Sequence, residues 1–527
     1  MRYYIYRNTT VESLFSCIEA IFSGYEDISI IDTSVDRYVW FYLPPFICDV
    51  QRMKEKIAHY SDMLRMVFSQ LPESKTFICF TMHAIFDFNS VIADVRVNDA
   101  VIQYNKVLYD IASKHERMKV LNFETFLSHY SRIELVDWKF YFISQMALNP
   151  RLAKPFNNWF EHQLNAIELK RKKCLVLDLD NTLWGGVLGE DGLNGIALGG
   201  DYPGKAYLYF QHCLKELGEQ GVILAVCSKN NIKDVIQLWD EHPENILNQK
   251  HFASFRINWM DKASNIQQIA EELNIGTDSM VFIDDHPAER MLIQKMLPEV
   301  VVPDFPKHPY LLPRFIKEVA ERYFLVYSLT KEDFGKTEQY RANFQRNRIK
   351  KTFSNMGEYI KNLDITLSIC EISEKTITRI AQMTQKTNQF NLTTKRYTDA
   401  DIRNFIERGS KIYTLSVQDR FGNSGITGCS IIIFNKNKAY VDTFLLSCRI
   451  LGKNIEVEFM RYLLGKIKDL GFDLVEASYI ATPKNIQTSR FYDHVGLLLV
   501  EEGAGVRHYQ IDLHQYNYIP SGFYKFQ

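Results

Sequence analysis

The residues richest in chemistry are two carboxylates, Asp178 and Asp180, in Leu177-Asp178-Leu179-Asp180-Asn181-Thr182-Leu183-Trp184. They follow an apolar run that begins at Cys174, so they stand where a buried strand ends. A carboxylate at a strand end can attack phosphorus or hold a metal ion. A second one two residues on can reach the leaving group as acid or base. Three further elements follow in chain order. Ser228, in Cys227-Ser228-Lys229-Asn230-Asn231, ends the next apolar run, where a hydroxyl and a helix-start amide can hold a phosphoryl oxygen. Lys262 opens a helical pattern and offers an ammonium against the charge of nucleophile and phosphate. Phe282-Ile283-Asp284-Asp285-His286-Pro287 adds adjacent carboxylates, one for the oxygen shell that Mg²⁺ favours and the other to pair with Lys262. Each motif alone also reads as a helix cap or an ion pair. Four of them in order at strand ends point to phosphoryl transfer.

Such residues need a parallel, doubly wound sheet to bring them together. The pattern supplies one: strand Cys174 to Leu179, helix Ala206 to Gln220, strand Val222 to Cys227, helix Ile266 to Leu273 and strand Met280 to Ile283. From Asp178 to Ser228 is 50 positions and from Ser228 to Lys262 is 34, which leaves no room for a large inserted cap domain. A site without a cap does not exclude water alone. It needs another domain or a macromolecular substrate to close it, and a long arm bearing an acyl acceptor fits that need.

On either side the patterning changes, which divides the chain into 1–167, 168–345 and 346–527. The first section alternates apolar runs with helical patterns, with strands expected at Ile28–Asp32, Thr76–Phe80 and Met118–Leu121 and a helix at Asn98–Glu116. It carries no Gly-Asp-Ser nucleophile motif and is assigned no catalysis. The polar, basic stretch Phe334–Lys351, with Arg341, Arg346, Arg348, Lys350 and Lys351, reads as a solvated helix or linker, or as a groove for a phosphorylated partner. The third section is mixed α+β. Strands are expected at Lys411–Val417, Ser430–Phe434 and Ala439–Leu446, with a helix beginning near Gly452.

The four motifs together resemble the haloacid dehalogenase (HAD) superfamily. The longer string from Asp178 through Trp184-Gly185-Gly186-Val187-Leu188-Gly189-Glu190-Asp191-Gly192 resembles the FkbH-like proteins of HAD subfamily IIIC. That resemblance implies that Asp178 accepts the phosphoryl group and Asp180 is the acid-base. It also implies that Mg²⁺ binds Asp178, the carbonyl of Asp180 and Asp284. Ser228 and Lys262 would hold the phosphate, and Asp285 would orient Lys262. In the third section, Ser447-Cys448-Arg449-Ile450-Leu451-Gly452-Lys453-Asn454 resembles the pyrophosphate turn of the GNAT acyltransferase fold through Arg449 and Gly452, with Asn454 in place of a small residue. Lys386-Thr387-Asn388-Gln389-Phe390-Asn391-Leu392-Thr393-Thr394 and Thr482-Pro483-Lys484-Asn485 are similar to FkbH-like C-terminal strings. They read either as polar turns or as a hydrogen-bonding pocket for a hydroxylated acyl group or for pantetheine amides. The fold implied is α/β multidomain: an α/β N-terminal domain, a HAD-type parallel sheet without a large cap, and a GNAT-like α+β domain.

FkbH-like proteins are associated with the glyceryl group of 1,3-bisphosphoglycerate and its delivery to an acyl carrier protein thiol. The expectation is therefore a Mg²⁺-dependent phosphatase and acyl transferase, with a small phosphorylated substrate, a carrier protein, and a phosphopantetheine arm or CoA at the third domain. A covalent enzyme thioester would fall on Cys227 or Cys448, since a thiol near a helix start and cations is acidified. Two other readings compete: a simple phosphatase with a non-catalytic GNAT-like binding domain, and a carrier-protein scaffold.

Composition narrows the classes further. Of 527 residues, 46% are apolar and 24% charged, the balance of a soluble globular chain. Lys and Arg number 62 against 63 Asp and Glu, so no global charge favours nucleic acid or an anionic membrane. Nine scattered cysteines with no C-x-x-C pair argue against a disulfide framework or zinc ribbon and for a reducing compartment, by default the cytoplasm.

Overall fold

The computed structural model describes residues 1–47, 49–86, 97–329, 334, 339–340, 342, 346, 353, 355–435, 437–447 and 450–527. Two compact units result: 1–168 with 397–404, and 169–396 with 405–527. No described helix is long and apolar enough to cross a membrane.

The first unit holds a five-stranded sheet of β1 (Arg2–Arg7), β2 (Glu19–Tyr25), β3 (Arg37–Phe41), β4 (Thr76–Phe80) and β5 (Met118–Leu121). All neighbours are parallel, in the order β2-β1-β3-β4-β5. Helices α1 (Val50–Gln70), α2 (Val97–Ala112) and α3 (Ala153–Ile167) accompany it. Every residue of β3 and β4 is buried, which explains the apolar runs that follow Arg37 and Thr76. The strand expected at Ile28–Asp32 does not form. Asp27 and Asp32 accept hydrogen bonds from the amides of Ser29 and Ser34, so local turns win over the ladder. Ile30 is consequently exposed.

The second unit contains two sheets. One is parallel, in the order β8-β7-β6-β9, from β6 (Cys174–Leu177), β7 (Ile223–Ser228), β8 (Ser254–Ile257) and β9 (Met280–Ile283). Helices α4 (Gly204–Glu219), α5 (Ile232–Glu241) and α6 (Lys262–Leu273) connect successive strands, and α7 (Pro287–Met296) follows β9. Register fixes the site: Leu177 stands opposite both Val226 and Ile283, so β6 and β9 end at one level and β7 runs two residues further, to Ser228. Between β6 and β7 there is only the short helix Leu188–Gly195 besides α4, so no cap domain is inserted.

The other sheet is mixed: β10 (Thr366–Glu371), β11 (Phe390–Asn391), β12 (Lys411–Asp419), β13 (Gly422–Asn435), β14 (Lys438–Leu446), β15 (Leu474–Ile480), β16 (Leu498–Gly503), β17 (Val506–Asp512) and β18 (Lys525–Phe526). Its order is β16-β17-β15-β14-β13-β12-β10-β18. β14 and β15 are parallel, but pair only over Lys438–Val441 and Leu474–Ala477. Beyond that they part, and the chain enters the notch. β11 pairs with Leu445 and Leu446, the Leu392 amide donates to the Phe444 carbonyl at 3.2 Å, and the Ile480 amide donates to Leu392 at 2.8 Å. Helices α8 (Leu312–Val319), α9 (Ile377–Lys386) and α10 (Ile455–Asp469) complete the elements used below. Of the basic stretch, Arg346 is described, and it is not solvated. It is 2% exposed and grips Asp419 through two bonds of 2.6 and 2.7 Å. Arg341, Arg348, Lys350 and Lys351 lie outside the described residues.

Candidate active site

At the C-terminal ends of β6, β7 and β9 the sheet gathers Asp178, Asp180, Ser228, Asp284 and Asp285, and α6 adds Lys262. The Asp178 amide donates to the Ile283 carbonyl at 3.0 Å, which sets the first carboxylate beside β9. Lys262 is the first residue of α6, after Asp261, whose side chain caps the Ser264 amide at 2.8 Å. A cation at a helix start opposes the helix dipole. Here it is answered by carboxylates: Lys262 Nζ lies 3.0 Å from Asp178 Oδ1 and 2.6 Å from Asp284 Oδ2, with all three side chains buried. Burial alone would lower the lysine pKa, but Asp178 and Asp284 outweigh it and raise it. The ammonium stays charged.

This pairing corrects one expectation. The adjacent Asp285 is not the partner of Lys262; Asp284, which directly follows β9, takes that place. Asp285 turns aside to Thr182, whose hydroxyl lies 3.4 Å from its Oδ1 and accepts from its amide at 3.2 Å. Arg290 Nη1 donates to the carbonyls of Asp284 and Asp285 at 2.9 and 2.6 Å and fixes the loop. His286, which precedes Pro287 at the start of α7, donates its amide to Asp284 Oδ1 at 2.8 Å.

Asp180 sits in a loop that turns through two left-handed residues, Asn181 at φ 54 and Gly186 at φ 99. A Cβ on Gly186 would come within 2.6 Å of Asp191 Oδ2, so glycine is required there for room as well as for conformation. Asp180 accepts three bonds: from Trp184 Nε1 at 2.9 Å, the Leu188 amide at 3.1 Å and Asn230 Nδ2 at 2.9 Å. Burial nevertheless pushes its carboxyl above the ordinary range, a state suited to a general acid. Burial, then the charge of Asp178, also raises Asp284. Asp285 is pushed up to about 6 by burial and by Asp178 and Asp284.

Asp178, Asp284 and Asp285 each offer an oxygen, and these oxygens lie within 4.8 Å of one another. Three carboxylates facing one ammonium leave an excess of negative charge that a divalent cation offsets, and hard oxygen donors suit Mg²⁺. The residues therefore fit a magnesium ion. The Asp180 side chain is not in this group, being committed to Trp184, Leu188 and Asn230. Ser228 is buried at the end of β7.

The chain resembles a solved phosphatase. The N-terminal part of protein BF1531 from Bacteroides fragilis, described as containing a phosphatase domain complexed with Mg, is 26% identical, with a TM-score of 0.55 over 62% of this chain and 95% of that one. A putative GNAT-family acetyltransferase from Desulfovibrio desulfuricans aligns with 28% of this chain and 99% of its own, at 9% identity and a TM-score of 0.23. A putative acetyltransferase from Salmonella typhimurium, solved with its cofactor acetyl-CoA, aligns with 29% and 98%, at 11% identity and 0.23. No protein-family model matches the chain, and no curated protein does. The α/β multidomain class expected from the sequence is the class observed, with parallel sheets in the N-terminal and HAD-like regions and a mixed α+β C-terminal region.

The two candidate thiols fare differently. Cys227 is fully buried among Cys174, Val176, Ile223 and Phe282, on the strand face opposite to Ser228. Burial raises its pKa far above that of a free thiol. An apolar surround disfavours the thiolate, so Cys227 is a core residue and not a carrier of acyl groups. Cys448 and Arg449 lie outside the described residues. Gly452 takes φ 77, but the first turn of α10 that follows carries Glu456 and Glu458. Glu458 is buried and accepts from Tyr518 Oη at 2.8 Å and the Ser521 amide at 3.3 Å. The turn itself, with Arg449, is thus only partly described, and the acids that follow it favour the helix dipole.

Thr182, Trp184, Asn230 and Arg290 serve the site and were missed by sequence reasoning. Trp184 and Asn230 could have been found as donors placed four residues after Asp180 and two after Ser228. Arg290 has no such signal, because its role depends on where α7 lies. Of the C-terminal strings, Asn485 is structural: its Nδ2 donates to Asn391 and Ile480 carbonyls, both at 2.9 Å, and its Oδ1 accepts from the Thr482 amide at 2.8 Å.

Proposed function

We propose that the chain is a Mg²⁺-dependent phosphatase and acyl transferase that takes a small phosphorylated acyl phosphate, 1,3-bisphosphoglycerate being the best fit, and delivers its acyl group to a carrier-protein thiol. The observation that carries the phosphoryl half is Lys262 held between Asp178 and Asp284, with Asp180, whose carboxyl burial raises above the ordinary range, beside them. The solved phosphatase with Mg supports it.

In this reading Asp178 attacks phosphorus and the bond from phosphorus to the ester oxygen breaks. Asp180 gives its proton to the departing alkoxide, then takes one from the water that attacks the phosphoaspartate, releasing phosphate and restoring both carboxylates. Ser228 and Lys262 hold the phosphoryl oxygens through both steps. A bound magnesium ion would be held by Asp178, Asp284 and Asp285 and would offset charge on the phosphoryl oxygens. In the acyl half, the carrier thiolate attacks the acyl carbonyl, the bond from carbon to the phosphate oxygen breaks, and phosphate leaves with the electron pair. Cys227, buried in the core, takes no part; the acyl group passes to the carrier either directly or through Cys448.

The test is to incubate the protein with Mg²⁺, the bisphosphate and a phosphopantetheinyl carrier protein, and to weigh the intact proteins. A glyceryl mass on the carrier together with released phosphate is expected. Phosphate without carrier loading would reduce the chain to a phosphatase with a binding domain, and neither product would leave a scaffold.

A further inference from the structure

In the first unit a short helix, Trp138–Ser144, contains no buried residue although it reads Trp138-Lys139-Phe140-Tyr141-Phe142-Ile143-Ser144. Trp138, Phe140, Phe142 and Ile143 are exposed to 41, 40, 72 and 72%. At 3.6 residues per turn these four follow one another around one side of the helix, within an arc of about 200°. Tyr141 lies on the other side, against the rings of Phe46 and Phe86. A helix of seven residues does not persist on its own. This one is held at both ends. Asp137 caps the Lys139 amide at 3.0 Å, and the Gln145 carbonyl accepts from the Thr10 amide at 3.0 Å. The rings are fixed as well: Trp138 packs on Phe46 at 4.9 Å and stacks on Phe142 at 5.8 Å.

Area and charge decide what covers such a face. With about 150–250 Å² on each aromatic side chain, the four residues show on the order of 450 Å² to solvent. Isolated apolar residues on a surface need no explanation, but a continuous patch of this size marks an interaction site. Doubled across a two-fold axis and widened by a polar rim, it gives an interface on the order of 1,000–1,200 Å², the lower end of specific association. From residue 132 to 144 the charged side chains are Arg132, Glu134, Asp137 and Lys139, two of each sign. A balanced rim has no excess to attract an anionic lipid or a strongly acidic partner. It does complement a copy of itself, because a two-fold rotation lets the cations of one chain approach the acids of the other. Glu134 is ionised for that purpose, since the hydroxyl and amide of Ser131 hold its carboxyl below the ordinary range. The chain as a whole carries a net charge of -1, so two copies do not repel.

We propose that this face is the contact between two copies of the chain, an isologous dimer with Trp138, Phe142 and Ile143 at its apolar centre. Rigid aromatic anchors of this kind dominate the energy of protein contacts. The contact involves the first unit alone and does not depend on the phosphatase reading.

The experiment is sedimentation of the full chain from about 1 to about 100 µM, where the mass should rise to that of two chains with a micromolar dissociation constant. Phe142→Glu should raise that constant at least tenfold, and so should Ile143→Glu. Met66→Glu, at an exposed position of α1 in the same unit, should leave it unchanged. All three side chains are more than half exposed, so circular dichroism should stay native. Hydrogen exchange of the wild-type chain gives a readout free of variants: peptides covering 138–146 should exchange more slowly as concentration rises. A chain that stays monomeric at about 100 µM overturns the proposal, as does a dimer that Phe142→Glu and Ile143→Glu leave as tight as before. A monomer that sediments with vesicles of phosphatidylcholine and phosphatidylglycerol, and loses them in Phe142→Glu, would give the face to lipid and overturn it equally.

Discussion

Two helix starts in the second unit obey opposite rules. The helix α10 begins with Glu456 and Glu458, acids placed where the helix dipole welcomes them, and Glu458 is satisfied by Tyr518 and Ser521. The helix α6 begins with Lys262, a cation in the unfavourable place, buried and held there by Asp178 and Asp284. The first junction is stable by local rules. The second violates the local rule, and the violation is tolerated because strands from elsewhere in the chain bring compensating charge. Conflict between a local preference and the observed residue thus marks the chemical end of the molecule, and agreement marks the structural end.

The sharpest way to break this contrast is at Asp178. Asp178→Asn should lower phosphate release at least about 10³-fold while circular dichroism stays that of the native chain. Retained turnover would mean that the buried cluster is only structural. Next comes Lys262→Met, which leaves Asp178 and Asp284 buried without their cation. Loss of one partner from such a group destabilises by about 3–5 kcal/mol, measurable by urea unfolding, and added Mg²⁺ should restore part of it.

A smaller effect is expected from pH. Asp285 keeps its proton up to about 6, above the ordinary aspartate value, so Mg²⁺ must displace a proton below that pH. Affinity measured by calorimetry should be flat above about pH 7 and fall by up to about tenfold per unit below pH 6. A flat profile down to pH 5 would remove Asp285 from the metal shell. On the other side of the contrast, Glu458→Ala should cost about 1–3 kcal/mol in unfolding free energy, because Tyr518 and Ser521 lose a buried acceptor, yet leave phosphate release unchanged. The smallest effect is Cys227→Ala, expected to cost about 1 kcal/mol for a small core void and to leave carrier loading intact. Loss of loading in that variant would restore the thioester route.

The parallel strands were legible because most of their residues are buried and read as apolar runs, those of β6 and β9 leading directly into carboxylates. Thr76–Phe80, Met118–Leu121 and Met280–Ile283 were placed to the residue. Ile28–Asp32 was misread for want of one consideration, that Ser29 and Ser34 give the neighbouring aspartates something better to bind than a strand. Pairings across the sheet were less legible. Whether Asp284 or Asp285 reaches Lys262 depends on which way each side chain turns in the loop after β9, which no motif encodes.

Arg290 bears on how firmly the acidic rim is held. By clasping two successive carbonyls it ties the Asp284–Asp285 hairpin bend to α7 at its backbone, so the acidic rim behaves as a fixed jaw. On the proposed reading, a rim anchored in this way leaves the covering of the substrate to the carrier that brings the thiol.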